Sequence, residues 1–345
     1  MSALPPLSER VSVESELPPL AHDDVALWRP ATTDDIDAIM LMQREADGVD
    51  HPDWVTARED LVDEFESSHI DMATESVLAL GHDGRVVAFG HSAVGPGQET
   101  RVQSYAFGAV RPDMRGRGIG RQLLAWLSVR SRQRLAESSK TLPGWALVYA
   151  EEQNHALISL AQGLGYEIVR YFTKMERIVA EPIPEIEVPT DIRIVRFDES
   201  LSESTRLARN DAFRDHWGSQ PTVPERWAQF VGGEQFRADL SWVAVEEAAD
   251  GPRVVGLALT SINEEDWIAQ GSSSGYVALI GVVRDRRGQR IAPACVTALL
   301  TSYREAGIER AILDVDTASP TGADGLYTRL GFTASTREVA LAIEY

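Results

Sequence analysis

The sequence predicts an α/β chain that consists of two copies of one domain. Segments with the pattern of β-strands are interspersed with segments in which apolar residues recur at helical spacing. Corresponding segments recur in the same order at an interval of about 170 residues, which indicates an internal duplication. In each copy, a strand leads through a glycine-containing turn into a helix. The corresponding positions are Arg29 and Arg193, Arg85 and Arg253, Arg115 and Arg287, and Gly165 and Gly331.

The composition agrees with two globular domains and excludes several classes of protein. Of the 345 residues, 43% are hydrophobic and 25% are charged. No apolar run approaches the roughly 20 residues of a membrane span, and the N-terminus lacks the apolar core of a secretory signal. The net charge of −20 argues against a nucleic-acid partner, and it is compatible both with a cationic substrate and with simple solubility. The single cysteine, Cys295, excludes an intramolecular disulfide and fits a cytoplasmic location.

The first copy is expected to span residues 25–180, after a disordered or extended lead-in over residues 1–24. Thr33 or one of the two aspartates after it can cap the first helix, and Asp83–Gly84 is typical of a hairpin turn. Gly165 is expected to end the last helix. The predicted elements are, in order, a strand at 27–31, helices beginning near 33 and 54, strands at 76–80, 85–90 and 104–110, a helix from 121, a strand at 146–150, a helix at 154–164 and a strand at 171–179.

Residues 181–190 are predicted to form a linker, because three prolines that alternate with acidic residues favour an extended chain. The second copy then spans residues 191–345. It repeats the plan of the first copy, with an Asp250–Gly251 turn between two strands. Its strand at 276–283 leads into the second glycine-containing turn and a helix.

The glycine-rich loop of the first copy is the strongest functional signal. The segment 110–120 reads V-R-P-D-M-R-G-R-G-I-G between a strand and a helix, and it matches neither a P-loop nor a dinucleotide-binding fingerprint. Amides at a helix start point outward, and the helix dipole adds partial positive charge, so such a turn binds anions. Glycines let the backbone approach a phosphate closely. The residues predicted to bind it are Arg115, Gly116, Arg117, Gly118 and Gly120, and Ala109, Val110 and Ile119 complete the predicted binding site.

This loop closely resembles the acetyl-coenzyme A pyrophosphate loop of the GNAT acetyltransferase superfamily. The segment 314–332, with D-V-D, P-T-G-A and L-Y-T-R-L-G-F, is a second close match. The duplicated layout is similar to that of the mycothiol synthases and related actinobacterial acetyltransferases, and the resemblance covers about residues 25–345. It implies two tandem GNAT-like domains of the α/β (α+β) class, each with a mixed, mostly antiparallel sheet flanked by helices. It also implies acetyl-coenzyme A as co-substrate. No residue grouping has metal-ligand spacing, so no metal is expected.

The resemblance implies acetyl transfer from a thioester to a primary amine of a small molecule. This reaction needs a base for the amine, donors for the developing oxyanion and an acid for the leaving thiolate. In the family the acid is often a tyrosine four residues before the terminal glycine-aromatic pair. Tyr327 has that position in the second copy, whereas Ala161 has it in the first. Asn154, the family's asparagine at a helix start, is expected to help hold the coenzyme.

The loop of the second copy departs from the family pattern at one position. Arg290 stands where the first loop has Gly118, and Ala292 replaces Gly120, which the family accepts. The Arg290 side chain could crowd the pyrophosphate or swing out without harm. The coenzyme contacts expected from this copy are Val282, Arg287, Gly288 and Ala292.

The general base is predicted at the end of the fifth strand of a copy, facing the acceptor amine directly or through water. Glu151 is the first choice, and an ordinary solvated strand end is the alternative. Other candidates are Glu152, His155, Asp314 and Asp316.

Two other functions stay open. The missing tyrosine in one copy and Arg290 in the other suggest a non-catalytic acyl-coenzyme A-binding sensor or structural module, and a pure scaffold is the third possibility. The acceptor can be a cysteinyl sugar, an aminoglycoside, a polyamine or a peptide N-terminus. The sequence determines neither that choice nor the oligomeric state.

Overall fold

The computed structural model describes residues 4–248, 251–318 and 323–345, which divide into two compact units. The first unit ends at Arg170 and also includes Glu338–Tyr345, and the second unit is Tyr171–Arg337. Asp250 of the predicted hairpin turn and residues 320–322 of the second motif lie outside the described residues.

The first unit contains most of the elements predicted for the first copy, with bounds shifted by a few residues. Its strands are β1 (Leu27–Arg29), β2 (Ser76–Leu80), β3 (Val86–Val94), β4 (Val102–Val110) and β5 (Gly144–Glu151), and β6 (Glu167–Ile178) continues into the second unit. Its helices are α1 (Leu7–Arg10), α2 (Ile36–Asp50), α3 (Arg58–Glu66), α4 (Met72–Glu75), α5 (Ile119–Ala136) and α6 (His155–Gly163).

The second unit repeats this order of strands and helices. Its strands are β7 (Ile192–Arg196), β8 (Trp242–Ala248), β9 (Gly251–Ser261), β10 (Ser274–Val282) and β11 (Arg310–Asp316), followed by β12 (Thr333–Glu344), which continues into the first unit. Its helices are α7 (Ser202–Ala212), α8 (Pro224–Gly232), α9 (Glu264–Gln270), α10 (Ile291–Glu305) and α11 (Ala323–Arg329).

The sheet of the first unit has the strand order β1-β2-β3-β4-β5-β12. Neighbours from β1 to β4 are antiparallel, as are β5 and β12. Strands β4 and β5 are parallel and pair from Val102 to Tyr105 with Gly144 to Leu147. Beyond this point they separate, because β4 continues to Val110 and β5 to Glu151 while their pairing stops. A wedge-shaped gap therefore opens toward the glycine-rich loop.

The second unit has the equivalent order β7-β8-β9-β10-β11-β6. Strands β10 and β11 are parallel and pair from Ser274 to Tyr276 with Arg310 to Ile312, and they then separate in the same way. The predicted mixed, mostly antiparallel sheet flanked by helices is confirmed in both units.

The predicted domain boundaries, 25–180 and 191–345, need correction because the two copies exchange their last strands. Strand β6 pairs with β11 from Phe172 to Ile178, inside the second unit. Strand β12 pairs with β5 from Glu338 to Glu344, inside the first unit. The predicted linker 181–190 has neither helix nor strand, but it belongs to the second unit rather than between two domains. Hydrogen-bond pairing, rather than chain order, therefore sets the boundary.

The N-terminal segment, expected to be disordered or extended, has one short helix and is otherwise without helix or strand over residues 4–24. Residues 4–24 pack against the first unit, and the Leu7 side chain is fully buried. The Leu7 amide donates to Lys140 O at 2.9 Å, and Val11 is also buried against this core. A few apolar residues in a proline-rich, acidic segment are thus enough to fix residues that composition assigned to a lead-in.

Each unit has its own buried core. In the first unit, α5 packs against β3 and β4, and in the second unit α10 packs against β8, β9 and β10. Cys295 on α10 is fully buried, and burial raises the pKa of its thiol to about 12. It therefore acts as a small apolar core residue. Within the described residues, no helix combines the length and the apolar character that crossing a membrane requires.

Candidate functional site

The glycine-rich loop of the first unit has the backbone of an anion-binding turn. Gly116 and Gly118 have φ angles of 75° and 101°, in the left-handed region that glycine adopts without a steric penalty. Helix α5 begins at Ile119, directly after Gly118. Gln122 N–H donates to Gly118 O at 3.2 Å, so the amides that precede it form the open N-terminus of the helix.

The Arg115 side chain anchors this loop to the end of α2. Its guanidinium forms a bidentate pair with Asp50, at 2.7 Å and 2.8 Å, and its Nε donates to Val110 O at 2.9 Å. Asn154 Nδ2 donates to the same carboxylate at 3.2 Å, while Asn154 Oδ1 caps α6 by accepting from Leu157 N–H. The side chains of Arg115 and Asn154, predicted to bind the coenzyme, therefore position the loop and α6.

The N-terminal segment crosses the same loop. His22 Nε2 lies 2.9 Å from Arg117 O, and Arg117 Nη1 lies 3.3 Å from Asp24 Oδ2. Gln122 exchanges two hydrogen bonds with the backbone of Ala21. These contacts give residues 21–24 a structural role beside the predicted phosphate site.

A cavity of about 600 Å³ extends from this loop into the gap between β4 and β5. Ile119 and Arg117 are not part of its lining, since Ile119 is buried in the core and Arg117 is exposed outside it. Glu151, the last residue of β5, also lies outside the lining, and its role as base stays a prediction. The predicted residues that do line the cavity are Ala109, Val110, Arg115, Gly116, Gly118, Gly120 and Asn154.

The far end of this cavity holds a histidine that the sequence analysis missed. His91 on β3 is 2% exposed, and its Nε2 lies 3.0 Å from Glu64 Oε2 on α3. Burial lowers the pKa of His91 to about 4, so its imidazole is neutral. A polar residue inside the apolar run of β3 was the available signal, but its carboxylate partner comes from a distant helix.

Aromatic rings surround this histidine. Its ring centroid lies 5.9 Å from that of Phe89 and 5.3 Å from that of Phe107. Trp54 and Phe107 are 36% and 42% exposed, although both line the cavity. Tyr149 also lines the cavity, and burial raises the pKa of its hydroxyl.

The loop of the second unit keeps the same backbone despite its different sequence. Gly288 has a φ of 77°, and Arg290 has a φ of 61°, immediately before α10 begins. A left-handed conformation costs an L-residue roughly 1–2 kcal/mol, so the conformation of Arg290 destabilises this turn relative to one with glycine. Its side chain is exposed. Arg287 repeats the anchor of the first loop, since it contacts Asp215 at 3.2 Å and donates to Ala212 O at 2.9 Å.

The second cavity, of about 580 Å³, brings together the loop, the strand gap and the predicted acid. Tyr327 lines it and is 7% exposed, and burial raises the pKa of its hydroxyl, which keeps it protonated. Its ring packs edge-on against Phe332, with centroids 5.9 Å apart. The other predicted residues in the lining are Val282, Arg287, Gly288, Ala292, Asp314 and Asp316.

Strand β10 is irregular where it borders this cavity. Its register with β9 shifts between Tyr276 and Leu279, whereas β4 keeps an unbroken register with β3 from Ser104 to Val110. A β-bulge leaves one residue outside the hydrogen-bond ladder. Val277 and Ala278, in the shifted stretch, line the cavity, so a backbone amide can face a bound ligand there.

Comparison with known proteins identifies the family. The model of the acetyltransferase (GNAT) family matches residues 203–332, and that of the acetyltransferase (GNAT) domain matches residues 73–168. A mycothiol acetyltransferase of Thermobispora bispora is 30% identical over 234 residues, which cover 67% of this chain and 72% of that protein. The chain belongs to the GNAT acetyltransferase family. It is an acyltransferase with two GNAT domains in tandem, and members of the family use an acyl-coenzyme A.

Other comparisons agree with this GNAT assignment. A mycothiol acetyltransferase of Salinispora tropica is 28% identical over 308 residues, which cover 86% of this chain and 89% of that protein. A GCN5-related N-acetyltransferase from Sphaerobacter thermophilus has a TM-score of 0.68 at 24% identity, with 94% of this chain and 97% of that chain covered. A tandem GNAT protein from the clavulanic acid biosynthesis pathway also has a TM-score of 0.68, at 15% identity, with coverage of 92% and 98%. The two structures show the shared fold.

Proposed function

We propose that this GNAT protein transfers an acetyl group from acetyl-coenzyme A to the primary amine of a small molecule, and that the second unit is a site of this reaction. The observation that carries the proposal is the meeting of three features in one cavity. The gap between β10 and β11, the irregular stretch of β10 and the protonated Tyr327 all border the same space.

Each feature has a chemical task in this proposal. The amides of Gly288 and of the start of α10 bind the pyrophosphate, and the coenzyme arm lies between β10 and β11. A backbone amide of the Val277–Ala278 stretch donates to the thioester oxygen, on which negative charge develops as the amine attacks. The carbon–sulfur bond then breaks, and Tyr327 supplies a proton to the thiolate.

Asp314 is the proposed base for this unit. It lines the cavity, it is exposed, and its Oδ2 accepts a hydrogen bond from Tyr276 OH at 3.0 Å. Asp316 is less suited, because it is 3% exposed and its Oδ1 accepts from Ala318 N–H at 3.0 Å. Asp314 would take the amine proton directly or through one water.

The relatives support a small-molecule acceptor, because the matched curated proteins are named mycothiol acetyltransferases. We extend that class of acceptor, rather than a particular compound, to the second unit. A cytoplasmic location, expected from the single cysteine Cys295, remains part of the proposal.

The test uses the full-length protein, acetyl-coenzyme A and four acceptors, namely a cysteinyl amino sugar, an aminoglycoside, a polyamine and a short peptide. Release of coenzyme A measures transfer. Tyr327→Phe is expected to lower kcat at least about 10-fold, because one proton-transfer group is removed, while coenzyme affinity stays unchanged. Tyr171→Phe is the matched control, since Tyr171 is partly exposed outside both cavities.

Two outcomes would contradict the proposal. An unchanged rate in Tyr327→Phe would show that Tyr327 does not supply the proton to the thiolate. Coenzyme binding without transfer to any of the four acceptors would favour a second function, that of a non-catalytic acyl-coenzyme A-binding module. The first unit has Ala161 in place of the tyrosine and an unbroken register of β4, so the features that carry this proposal belong to the second unit.

A further inference from the structure

We propose that the first unit is a second active site, which takes a primary amine on an aromatic or apolar body and uses His91 as the group that accepts the amine proton. The inference rests on the proposed function, acetyl transfer from a coenzyme thioester. The inference goes beyond the proposed function in three respects: the first unit is a further site, the acceptor has an aromatic or apolar body, and His91 moves the proton.

The position of His91 relative to the strand gap is the first observation. His91 pairs in register with Phe107, two residues beyond Tyr105, where the pairing of β4 with β5 ends. A coenzyme arm that enters the gap from the glycine-rich loop reaches this point last. The cavity is continuous from Gly118 in that loop to His91. The histidine therefore borders the space in which the thioester would end.

The second observation is an unsatisfied ring nitrogen. Both ring nitrogens of His91 are buried and without a hydrogen bond among the residues that the structure describes, and Nδ1 is the one without a nearby carboxylate. A buried polar atom without a partner is costly, and an N–H group brought into the cavity would remove that cost. The other ring nitrogen, Nε2, lies 3.0 Å from Glu64 Oε2, so the carboxylate can stabilise the imidazolium once it forms.

The acceptor class follows from the rest of the lining. Trp54 and Phe107 present partly exposed rings, and Asp60 and Glu64 on α3 bring two carboxylates to the same cavity. Aromatic faces and carboxylates attract an ammonium ion, and rings also pack against an apolar body. Phenethylamine, which has one ring and one primary amine, is the simplest probe with both properties.

The step balances without a separate acid. The bound ammonium ion loses one proton to water, and the amine nitrogen attacks the thioester carbon while a second proton passes to His91. The carbon–sulfur bond breaks, and His91 returns its proton to the thiolate. The first unit then needs no tyrosine at the position of Ala161, which corresponds to Tyr327, because His91 serves as both base and acid.

The register of the second unit supports a division of labour. The pair that corresponds to His91 and Phe107 is Leu259 and Leu279, and Leu259 is fully buried. Each unit therefore carries one proton-transfer side chain that its counterpart replaces with an apolar residue. The first unit has His91 against Leu259, and the second has Tyr327 against Ala161.

The experiment measures transfer from acetyl-coenzyme A to phenethylamine in the full-length Tyr327→Phe protein, which separates the two units. Adding His91→Gln is expected to lower this rate at least 10-fold, and Glu64→Gln to lower it less, with coenzyme affinity unchanged. His82→Gln is the control, because His82 lies on an exposed turn outside the cavity.

The results distinguish this proposal from the proposed function. Loss of phenethylamine transfer in His91→Gln supports the second site, whatever Tyr327→Phe does to the other acceptors. An unchanged rate in a folded His91→Gln protein overturns it, even if Tyr327→Phe abolishes transfer elsewhere. If His91→Gln does not fold, histidine NMR of the wild-type protein with coenzyme A decides. A shift of the His91 signal on adding phenethylamine supports the site, and an unmoved signal overturns it.

Discussion

The two units share the loop that would hold a coenzyme and differ in the residues that would do chemistry. Gly118 and Arg290 both adopt the left-handed conformation before a helix, and Arg115 and Arg287 are both tied to an aspartate. By contrast, β10 is irregular where β4 is regular. The two copies have thus kept the backbone geometry of the loop, although Arg290 has to adopt a left-handed conformation for it. The side chains that would face the acceptor differ between the copies.

The strongest test of this comparison removes one loop. Gly118→Trp is expected to abolish coenzyme binding in the first unit, with a loss of more than about 100-fold in affinity. A tryptophan there has a strained positive φ, and its ring would fill the phosphate site. Calorimetry of the full-length protein should show the sites of the second unit alone. Gly163→Ala, on an ordinary helical position with free space, is the control, and unchanged binding in Gly118→Trp would refute the assignment.

The N-terminal segment distinguishes the first unit in stability. Leu7→Ala is expected to lower the free energy of unfolding by about 2–5 kcal/mol, because a fully buried leucine is truncated in a packed core. Urea unfolding measures the change, and Leu4→Ala, at a residue 42% exposed, should have little effect. If both substitutions had equal and small effects, residues 4–24 would not pack against the core and would be a disordered lead-in.

Acidification should expose the difference between His91 and Leu259. The pKa of His91 is about 4 in the folded protein, below its ordinary value of 6.5, so the unfolded chain binds a proton that the folded chain excludes. The free energy of unfolding therefore falls as the pH falls from 6.5 toward 4, by up to about 3 kcal/mol. The other ionisable side chains that line the same cavity are Asp50, His51, Asp60, Glu64, Arg115, Arg121 and Tyr149.

His91→Leu, which installs the residue of the second unit, isolates that contribution. Urea unfolding at pH 7 and pH 4.5 should show a smaller loss of stability in His91→Leu than in the wild-type protein. An identical loss in both proteins would mean that His91 titrates near its ordinary value in the folded protein.

The smallest effect is expected at Arg290. Arg290→Gly relieves the left-handed strain but adds flexibility to the unfolded chain, so we expect a net stabilisation of up to about 1 kcal/mol. Thermal unfolding monitors the change, and coenzyme affinity of the second unit should not fall. A lower melting temperature would show that the arginine side chain makes a stabilising contact that outweighs the strain.

Much of this protein follows from its sequence, where the requirement is local. The left-handed turn favours glycine at Gly116 and Gly118, and Asn154 caps the free amide groups at the start of α6. The duplicated order of strands and helices and the two loops could be predicted for this reason, because each depends on residues within a few positions. Tyr327 was predicted from the resemblance to the family.

Tertiary structure alone decided the features that join distant segments. Three features depend on which strands and helices come into contact, and composition does not predict such contacts. They are the exchange of β6 and β12, the packing of Leu7 and the shifted register of β10. The same holds for Asp50 beneath Arg115 and for Glu64 beside His91. A local motif specifies how the chain turns toward a phosphate, whereas the groups that would move a proton are brought together by burial and pairing across the sheet.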